Sequence, residues 1–149
     1  MKIKFTASWL PLSPLIRLWT WSQCSHCEFE FSDGMIIVAA MEAGRVIATK
    51  NRKYTWEHVY DMHITEEQEA KLRRWAEDQI GKPYDYTALA PLNVLIPRKK
   101  KAWKDDSRWM CSEFCAAGLE LVGMEFFPDN FKKITPGDLH KAYRSQYGN

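Results

Sequence analysis

The hydrophobic pattern along the first half of the chain predicts a small β-sheet. Residues 2–9 alternate loosely between polar and apolar, which is typical of an edge strand, and residues 35–41 are apolar, which is typical of a buried strand. Between them, residues 25–31 alternate with a period of two and lead into a tight turn at Asp33-Gly34. The predicted strands are residues 2–9, 25–31, 35–41, 45–50 and 57–63.

A helical period replaces the strand pattern in the second half of the chain. Thr65 and Gln68 have the spacing of a capping box, and the helix that follows them is predicted to end at Gly81. A second helix is predicted to begin at Cys111 and to end at Gly123. The predicted apolar faces consist of Leu72, Trp75, Ala76 and Ile80 in the first helix, and of Phe114, Cys115, Gly118, Leu121 and Val122 in the second.

Two shorter helices are predicted near the ends of the chain. Ser13-Pro14 is a helix start for residues 15–19, and Thr135-Pro136 begins a helix through Tyr143. Residues 89–107 form a long connection, which is either a lid over Cys111 or a plain loop. Strands followed by helices predict an α+β fold, in a single domain that spans residues 1–149.

The composition indicates a globular domain. With 46% hydrophobic and 27% charged residues, the 149-residue chain is able to bury a core and is not a disordered segment. The net charge of +2 gives no indication of nucleic-acid binding, and the basic residues at 98–101 are expected to form a solvated loop. The chain has neither a signal-peptide pattern nor an apolar run of membrane-spanning length, so we expect a soluble protein without an integral membrane segment.

Cys111 is the main candidate for chemistry because it stands at the predicted start of a helix. Unpaired backbone N–H groups and the helix dipole favour a thiolate there, and the thiolate is the nucleophilic form of cysteine. His26 is the candidate general base, and Glu28 leaves the same face of the predicted strand, where it can orient the imidazole. The alternative is that Cys111 and His26 are both structural.

The four cysteines also allow a different site. Cys24-x-x-Cys27 and Cys111-x-x-x-Cys115 are two close pairs, and four thiolates can hold a structural zinc ion. The second pair has the spacing of one helix face, however, and strand alternation turns Cys27 away from His26. Buried thiols that pack in the core are the simplest interpretation of Cys27 and Cys115, and a Cys24–Cys27 disulfide is a further alternative.

The other candidate residues have weaker patterns. His58, His63 and His140 are expected at the surface or its boundary, and His63 replaces His26 if the strand assignment is wrong. Tyr84 follows Gly-Lys-Pro in a turn before the cysteine helix. Its hydroxyl either packs in the core or donates a hydrogen bond to an oxyanion.

Four short segments occur in a characteristic order along the chain. They are Ser25-His26-Cys27-Glu28-Phe29, Ile80-Gly81-Lys82-Pro83-Tyr84-Asp85-Tyr86, Trp109-Met110-Cys111-Ser112-Glu113-Phe114 and Thr135-Pro136-Gly137-Asp138-Leu139. Together they resemble the permuted branch of the NlpC-type cysteine peptidases, the YiiX-like group, with the lecithin retinol acyltransferase-like proteins as more distant relatives. The resemblance implies a circularly permuted papain-like fold, in which a small antiparallel sheet packs on the helix that begins at the nucleophilic cysteine.

The resemblance also implies roles for individual residues. These are Cys111 as nucleophile, His26 as general base, and Tyr84 with Ser112 beside the oxyanion or substrate. Many relatives carry a third polar residue on the strand after the histidine, but here that strand is apolar until Glu42. Glu28 is therefore the favoured orienting residue, and Glu42 is the alternate.

The implied activity is hydrolysis of an amide bond, in a peptide link of bacterial cell-wall peptidoglycan, through a thioacyl-enzyme without a cofactor. The same chemistry would also serve an ester, a thioester or an acyl transfer. Without an export signal, the protein is expected to be cytoplasmic as made, and to reach a cell wall in a phage particle or through a lysis or secretion system. The alternative from another class is a zinc-stabilised or catalytically inactive binding domain.

Overall fold

The computed structural model describes residues 1–7, 18, 22–86, 107–128 and 134–148. Within these ranges the chain forms five strands followed by three helices, which confirms the predicted α+β order. The strands are β1 (Lys2–Ala7), β2 (His26–Glu30), β3 (Ile36–Ala40), β4 (Arg45–Thr49) and β5 (Trp56–Asp61). The helices are α1 (Glu66–Asp78), α2 (Cys111–Leu121) and α3 (Pro136–Tyr147).

The strands form one antiparallel sheet in the order β4-β3-β2-β1-β5. The prediction that the first strand lies at an edge is wrong, because β1 pairs with β2 on one side and with β5 on the other. Its alternation still has a physical reason. Ile3 and Phe5 are buried in the core, whereas Lys4 reaches Glu30 at 2.5 Å and Glu57 at 3.0 Å from the other face of the sheet.

The predicted helix starts are confirmed by their caps. The Thr65 hydroxyl accepts from the Gln68 backbone N–H and the Gln68 side chain accepts from the Thr65 N–H, a capping box that begins α1. Thr135 and Asp138 form the same arrangement at the start of α3. Because hydrogen bonds satisfy the first N–H groups of both helices, neither start depends on tertiary contacts alone.

The predicted apolar face of α1 is wrong at its end. The helix stops at Asp78, the chain then turns at Gly81 with φ of 90°, and Ile80 is 45% exposed. Gln79 is buried in its place and accepts a hydrogen bond from the Trp109 indole at 3.1 Å. A buried amide thus ties the end of α1 to the residues that precede α2.

The core lies between the sheet and the helices, and α2 packs against β2, β3, α1 and α3. Gly118 permits the closest approach of α2, because a β-carbon there would lie 2.7 Å from the Phe29 ring and 2.8 Å from Leu72. Both of these side chains are fully buried. The absence of a side chain at Gly118 therefore sets the distance between α2 and β2.

We expect Gly118→Ala to lower the free energy of unfolding by about 1–2 kcal/mol. Overpacking against Phe29 and Leu72 outweighs the roughly 1 kcal/mol that alanine gains in helix propensity. Urea unfolding followed by circular dichroism measures the change. The neighbouring half-buried Ala117 provides the control, since Ala117→Ser should change stability by about 0.5 kcal/mol or less. A Gly118→Ala protein that is as stable as the wild type would contradict this packing.

Two predicted segments lie outside the described residues. They are the short helix over residues 15–19, apart from Leu18, and the connection at 89–107, apart from Ser107. In the described part of the chain, none of the helices has the length and hydropathy needed to cross a membrane.

Candidate active site

The turn at Lys82–Tyr86 is fastened to the residues that precede α2. Trp109 N–H donates to the Pro83 carbonyl at 3.0 Å, and Asp85 N–H donates to the Trp109 carbonyl at 2.9 Å. Tyr84 is buried, and its side chain lies beside that of Cys111. These backbone hydrogen bonds explain why a tyrosine far from Cys111 in the sequence reaches the start of α2.

Cys111 is the first residue of α2, after Met110 at the N-cap position, and it is 1% exposed. Its side chain contacts His26, the first residue of β2, and also the thiol of Cys27. His26 and Cys27 leave opposite faces of β2. The ladder between β2 and β3 joins Phe29 and Glu30 to β3, whereas the whole of β2 pairs with β1.

Glu28 lies beside His26, on the same face of β2. Its Oε2 atom is 3.5 Å from His26 Nε2 and 3.2 Å from Arg52 Nε, and its Oε1 atom accepts a hydrogen bond from the Tyr54 hydroxyl. The carboxylate is fully buried. A buried carboxylate is costly unless it is paired, and here an imidazole, a guanidinium and a phenol surround it.

This surrounding shifts the proton affinities of both groups. Burial opposes the imidazolium form of His26, but Cys111 and Glu28 outweigh burial and raise its pKa to about 9. Burial also acts against the Glu28 carboxylate, but His26, Arg52 and Tyr54 outweigh it and lower its pKa below the usual range. The pair therefore favours a protonated imidazole beside a charged carboxylate near neutral pH.

The electrostatics of Cys111 differ from the expectation for an exposed helix start. The contact with Cys27 and burial raise its pKa, whereas the charge and hydrogen bond of His26 lower it. The net pKa of Cys111 lies above that of an ordinary thiol, so formation of the thiolate requires the neutral form of His26 as proton acceptor. Burial and the neighbouring Cys111 raise the pKa of Tyr84, which keeps its hydroxyl protonated and able to donate.

Two predicted site residues lie elsewhere. The Glu42 carboxylate is 2.8 Å from the Arg52 guanidinium, which also pairs with Glu28. Glu42 is therefore linked to Glu28 through Arg52, and Glu28 is the carboxylate that lies next to His26. The Ser112 hydroxyl is buried and donates to the Ile134 carbonyl at 2.5 Å. That hydrogen bond is a structural contact that ties α2 to Ile134, two residues before the start of α3.

Arg52 and Tyr54 are the site residues that the sequence pattern does not indicate. They lie between β4 and β5, two positions apart, so an extended backbone turns both towards Glu28. A groove of about 490 Å³ lies along the same segment. It is lined by Arg52, Lys53, Tyr54, Thr55, Trp56 and Glu57.

All four cysteines are buried reduced thiols, so the structure contains no Cys24–Cys27 disulfide. The Cys27 thiol lies beside those of Cys111 and Cys115, and the Cys24 sulfur lies 3.3 Å from the Ser22 hydroxyl. In the described ranges, no group of three or more His, Cys, Asp or Glu side chains is arranged to hold a metal ion. The described donor set does not fit the predicted zinc alternative.

The remaining histidines lie away from Cys111. His63 is exposed, as expected, but the expected surface position of His140 is wrong. His140 is 9% exposed, its Nε2 atom is 3.1 Å from the Tyr60 hydroxyl, and its ring is 5.4 Å from that of half-buried His58. Burial, helped by the charges of His58 and Arg144, lowers the pKa of His140 to about 4.

We expect the protein to lose stability as the pH falls from 6.5 to 4. Unfolded His140 binds a proton near pH 6.5, whereas folded His140 resists protonation down to about 4, so the unfolded state gains protons first. The expected loss is roughly 2 kcal/mol, measured by urea unfolding at several pH values. His140→Gln keeps an acceptor for the Tyr60 hydroxyl and should flatten the slope. An unchanged slope in this variant would show that other groups cause the loss.

The comparisons with known proteins support the fold. No family model matches the chain, and no curated protein is similar to it in sequence. Among solved structures, the chain is similar to a crystal structure of the metalloprotein YiiX from Escherichia coli O157:H7, of the DUF1105 group. The two share 22% sequence identity with a TM-score of 0.52, over 99% of this chain and 81% of that chain. The chain therefore has a YiiX-like α+β fold.

Proposed function

We propose that this protein is a thiol hydrolase that cleaves an amide bond through a thioacyl-enzyme at Cys111. The contact between the Cys111 thiol and the His26 imidazole, with the Glu28 carboxylate 3.5 Å from His26 Nε2, carries the proposal. A nucleophile, a proton acceptor and an oriented carboxylate are the three groups that such chemistry needs. The YiiX-like fold supports the proposal.

Each residue has a stated part in the proposed reaction. His26 in its neutral form takes the proton of Cys111, and the thiolate attacks the carbonyl carbon of the scissile amide. The Tyr84 hydroxyl donates to the oxygen that becomes negative, and the protonated His26 gives its proton to the departing amine. His26 then activates a water molecule that hydrolyses the thioester and releases Cys111. Glu28 holds the ring and stabilises its charge throughout.

The choice of substrate rests on the four sequence motifs rather than on the fold. Their order, with the histidine strand before the cysteine helix, resembles the permuted NlpC-type peptidases with a papain-like core. On that resemblance we favour a peptide link of cell-wall peptidoglycan as substrate. The open groove along residues 52–57 has room for an extended chain, and its tyrosine and tryptophan suit contacts with one.

Acyl-enzyme trapping tests the proposal. The purified protein is mixed with a chromogenic thioester, a p-nitroanilide peptide and peptidoglycan fragments, and intact mass is followed during turnover. We expect release of product together with an acyl adduct that maps to Cys111, and His26→Asn should abolish both. Turnover without any adduct on Cys111 would contradict the proposed mechanism. About one zinc ion per chain, released in Cys24→Ser, would favour a zinc-stabilised domain instead.

A further inference from the structure

Three thiols meet at the start of α2. The Cys27 thiol lies beside those of Cys111 and Cys115, which are one helical turn apart on the helix that packs against β2. All three side chains are at most 1% exposed. The proposed hydrolysis assigns no step to Cys27, so a thiol in contact with the nucleophile needs a separate explanation.

The packing of α2 on β2 determines this contact. The Phe29 ring lies against Gly118 and within 6.0 Å, centroid to centroid, of the Phe114 ring. Cys27 precedes Phe29 by two residues, and its side chain points to the same face of β2. It therefore packs against the first turns of α2, which begins at Cys111. Two regular elements therefore hold the Cys27 and Cys111 thiols together.

We propose that Cys27 is a resolving cysteine for Cys111, and that this pair is a site of oxidative modification by hydroperoxides. The Cys111 thiolate attacks the O–O bond, which breaks: its sulfur is oxidised to a sulfenic acid, and the peroxide is reduced to an alcohol or water. Cys27 then attacks that sulfur. An S–S bond forms, the S–O bond breaks, and the oxygen leaves as water with the Cys27 proton.

Geometry selects Cys27 over the other thiols. Side chains at i and i+4 of a helix have β-carbons about 5–6 Å apart, whereas a disulfide needs about 3.5–4.5 Å, so Cys115 cannot bridge to Cys111 without unwinding the helix. Cys24 precedes β2 instead of lying on it, and its sulfur is 3.3 Å from the Ser22 hydroxyl. Cys27 alone among the three joins a different, opposing element to Cys111.

The disulfide would remove the nucleophile reversibly. The loss of activity rests on the proposed function, whereas formation of the Cys27–Cys111 disulfide does not. A reductant with two thiols restores Cys111 by exchange, whereas a sulfinic acid at the same sulfur is not restored. Cys27 would thus protect Cys111 from irreversible oxidation.

The test treats the full-length protein with hydrogen peroxide and maps the products by peptide mass spectrometry before and after dithiothreitol. In the wild type we expect a loss of about 2 Da, a Cys27–Cys111 linked peptide, and recovery of the thiol on reduction. In Cys27→Ala we expect Cys111 to gain about 32 Da as sulfinic acid, with at least a fivefold larger fraction that reduction does not recover. Cys115→Ala, a matched loss of one buried thiol, should behave like the wild type.

The outcomes separate this proposal from the proposed function. A linked peptide in a protein without hydrolase activity would uphold the resolving role of Cys27 and count against the hydrolase. Hydrolase activity with equal irreversible oxidation in the wild type and Cys27→Ala would overturn the resolving role. A link from Cys111 to Cys24 or Cys115 would overturn it as well. Labelling each folded variant with iodoacetamide measures whether small reagents reach Cys111, and we expect them to reach it in all of the variants.

Discussion

Replacing Cys111 with alanine is expected to lower kcat/KM by about 10⁴-fold or more, because the thioacyl-enzyme cannot form without the thiol. The change removes one sulfur atom from a buried position, so the protein should remain folded. Initial rates on the substrate that the wild type cleaves fastest measure the effect, with circular dichroism as the check on folding.

Cys115→Ala is the matched control for this variant. It removes a thiol of the same size from the same helix, one turn further on and equally buried. We expect its kcat/KM to stay within about threefold of the wild type, since Cys115 has no part in the proposed steps. Residual hydrolysis by Cys111→Ala at the rate of Cys115→Ala would show that another group is the nucleophile.

Glu28→Gln is expected to lower kcat/KM by about 10²-fold and to change its pH dependence. The alkaline limb of the wild-type profile should be a rise in rate as the pH passes about 9, where His26 loses its own proton and can accept that of Cys111. Glu28 helps to raise the pKa of His26, so glutamine lets it fall towards that of a free imidazole. The alkaline limb of the profile should therefore move down by about one pH unit or more.

Glu42→Gln separates a direct effect on the imidazole from a general change in charge. Glu42 pairs with Arg52 at the partly exposed end of the same network and does not contact His26. Its replacement should leave the alkaline limb within about 0.3 pH units of the wild-type position. If both variants shift the limb equally, Glu28 has no special role in positioning the ring.

Local sequence patterns were sufficient for the elements that carry the site. The period of two in residues 25–31 places His26 and Glu28 on one face, and the capping boxes at Thr65 and Thr135 begin helices where predicted. The turn before Tyr84 was recognisable because Gly81 permits a positive φ and Pro83 fixes its own φ. These features depend on residues close together in the sequence.

The features that were not predicted depend on contacts between distant segments. The position of β1 inside the sheet follows from its pairing with β5, which no local pattern indicates. Arg52 and Tyr54 lie in a polar segment that has no distinctive local pattern. They belong to the site because they contact the Glu28 carboxylate, more than twenty residues earlier in the chain. Cys27 was expected to pack in the core, and it does, but the packing of α2 against β2 also brings it beside Cys111.

The activation of Cys111 by His26 is the central claim, and the alkylation rate of Cys111 tests it most directly. Iodoacetamide is applied at pH 7 to the wild type and to His26→Asn, and the labelled peptide is followed by mass spectrometry. Since His26 acts to lower the pKa of Cys111, we expect the wild-type thiol to react at least tenfold faster. Equal rates in the two proteins would contradict the claim, because the imidazole would then have no influence on the thiol.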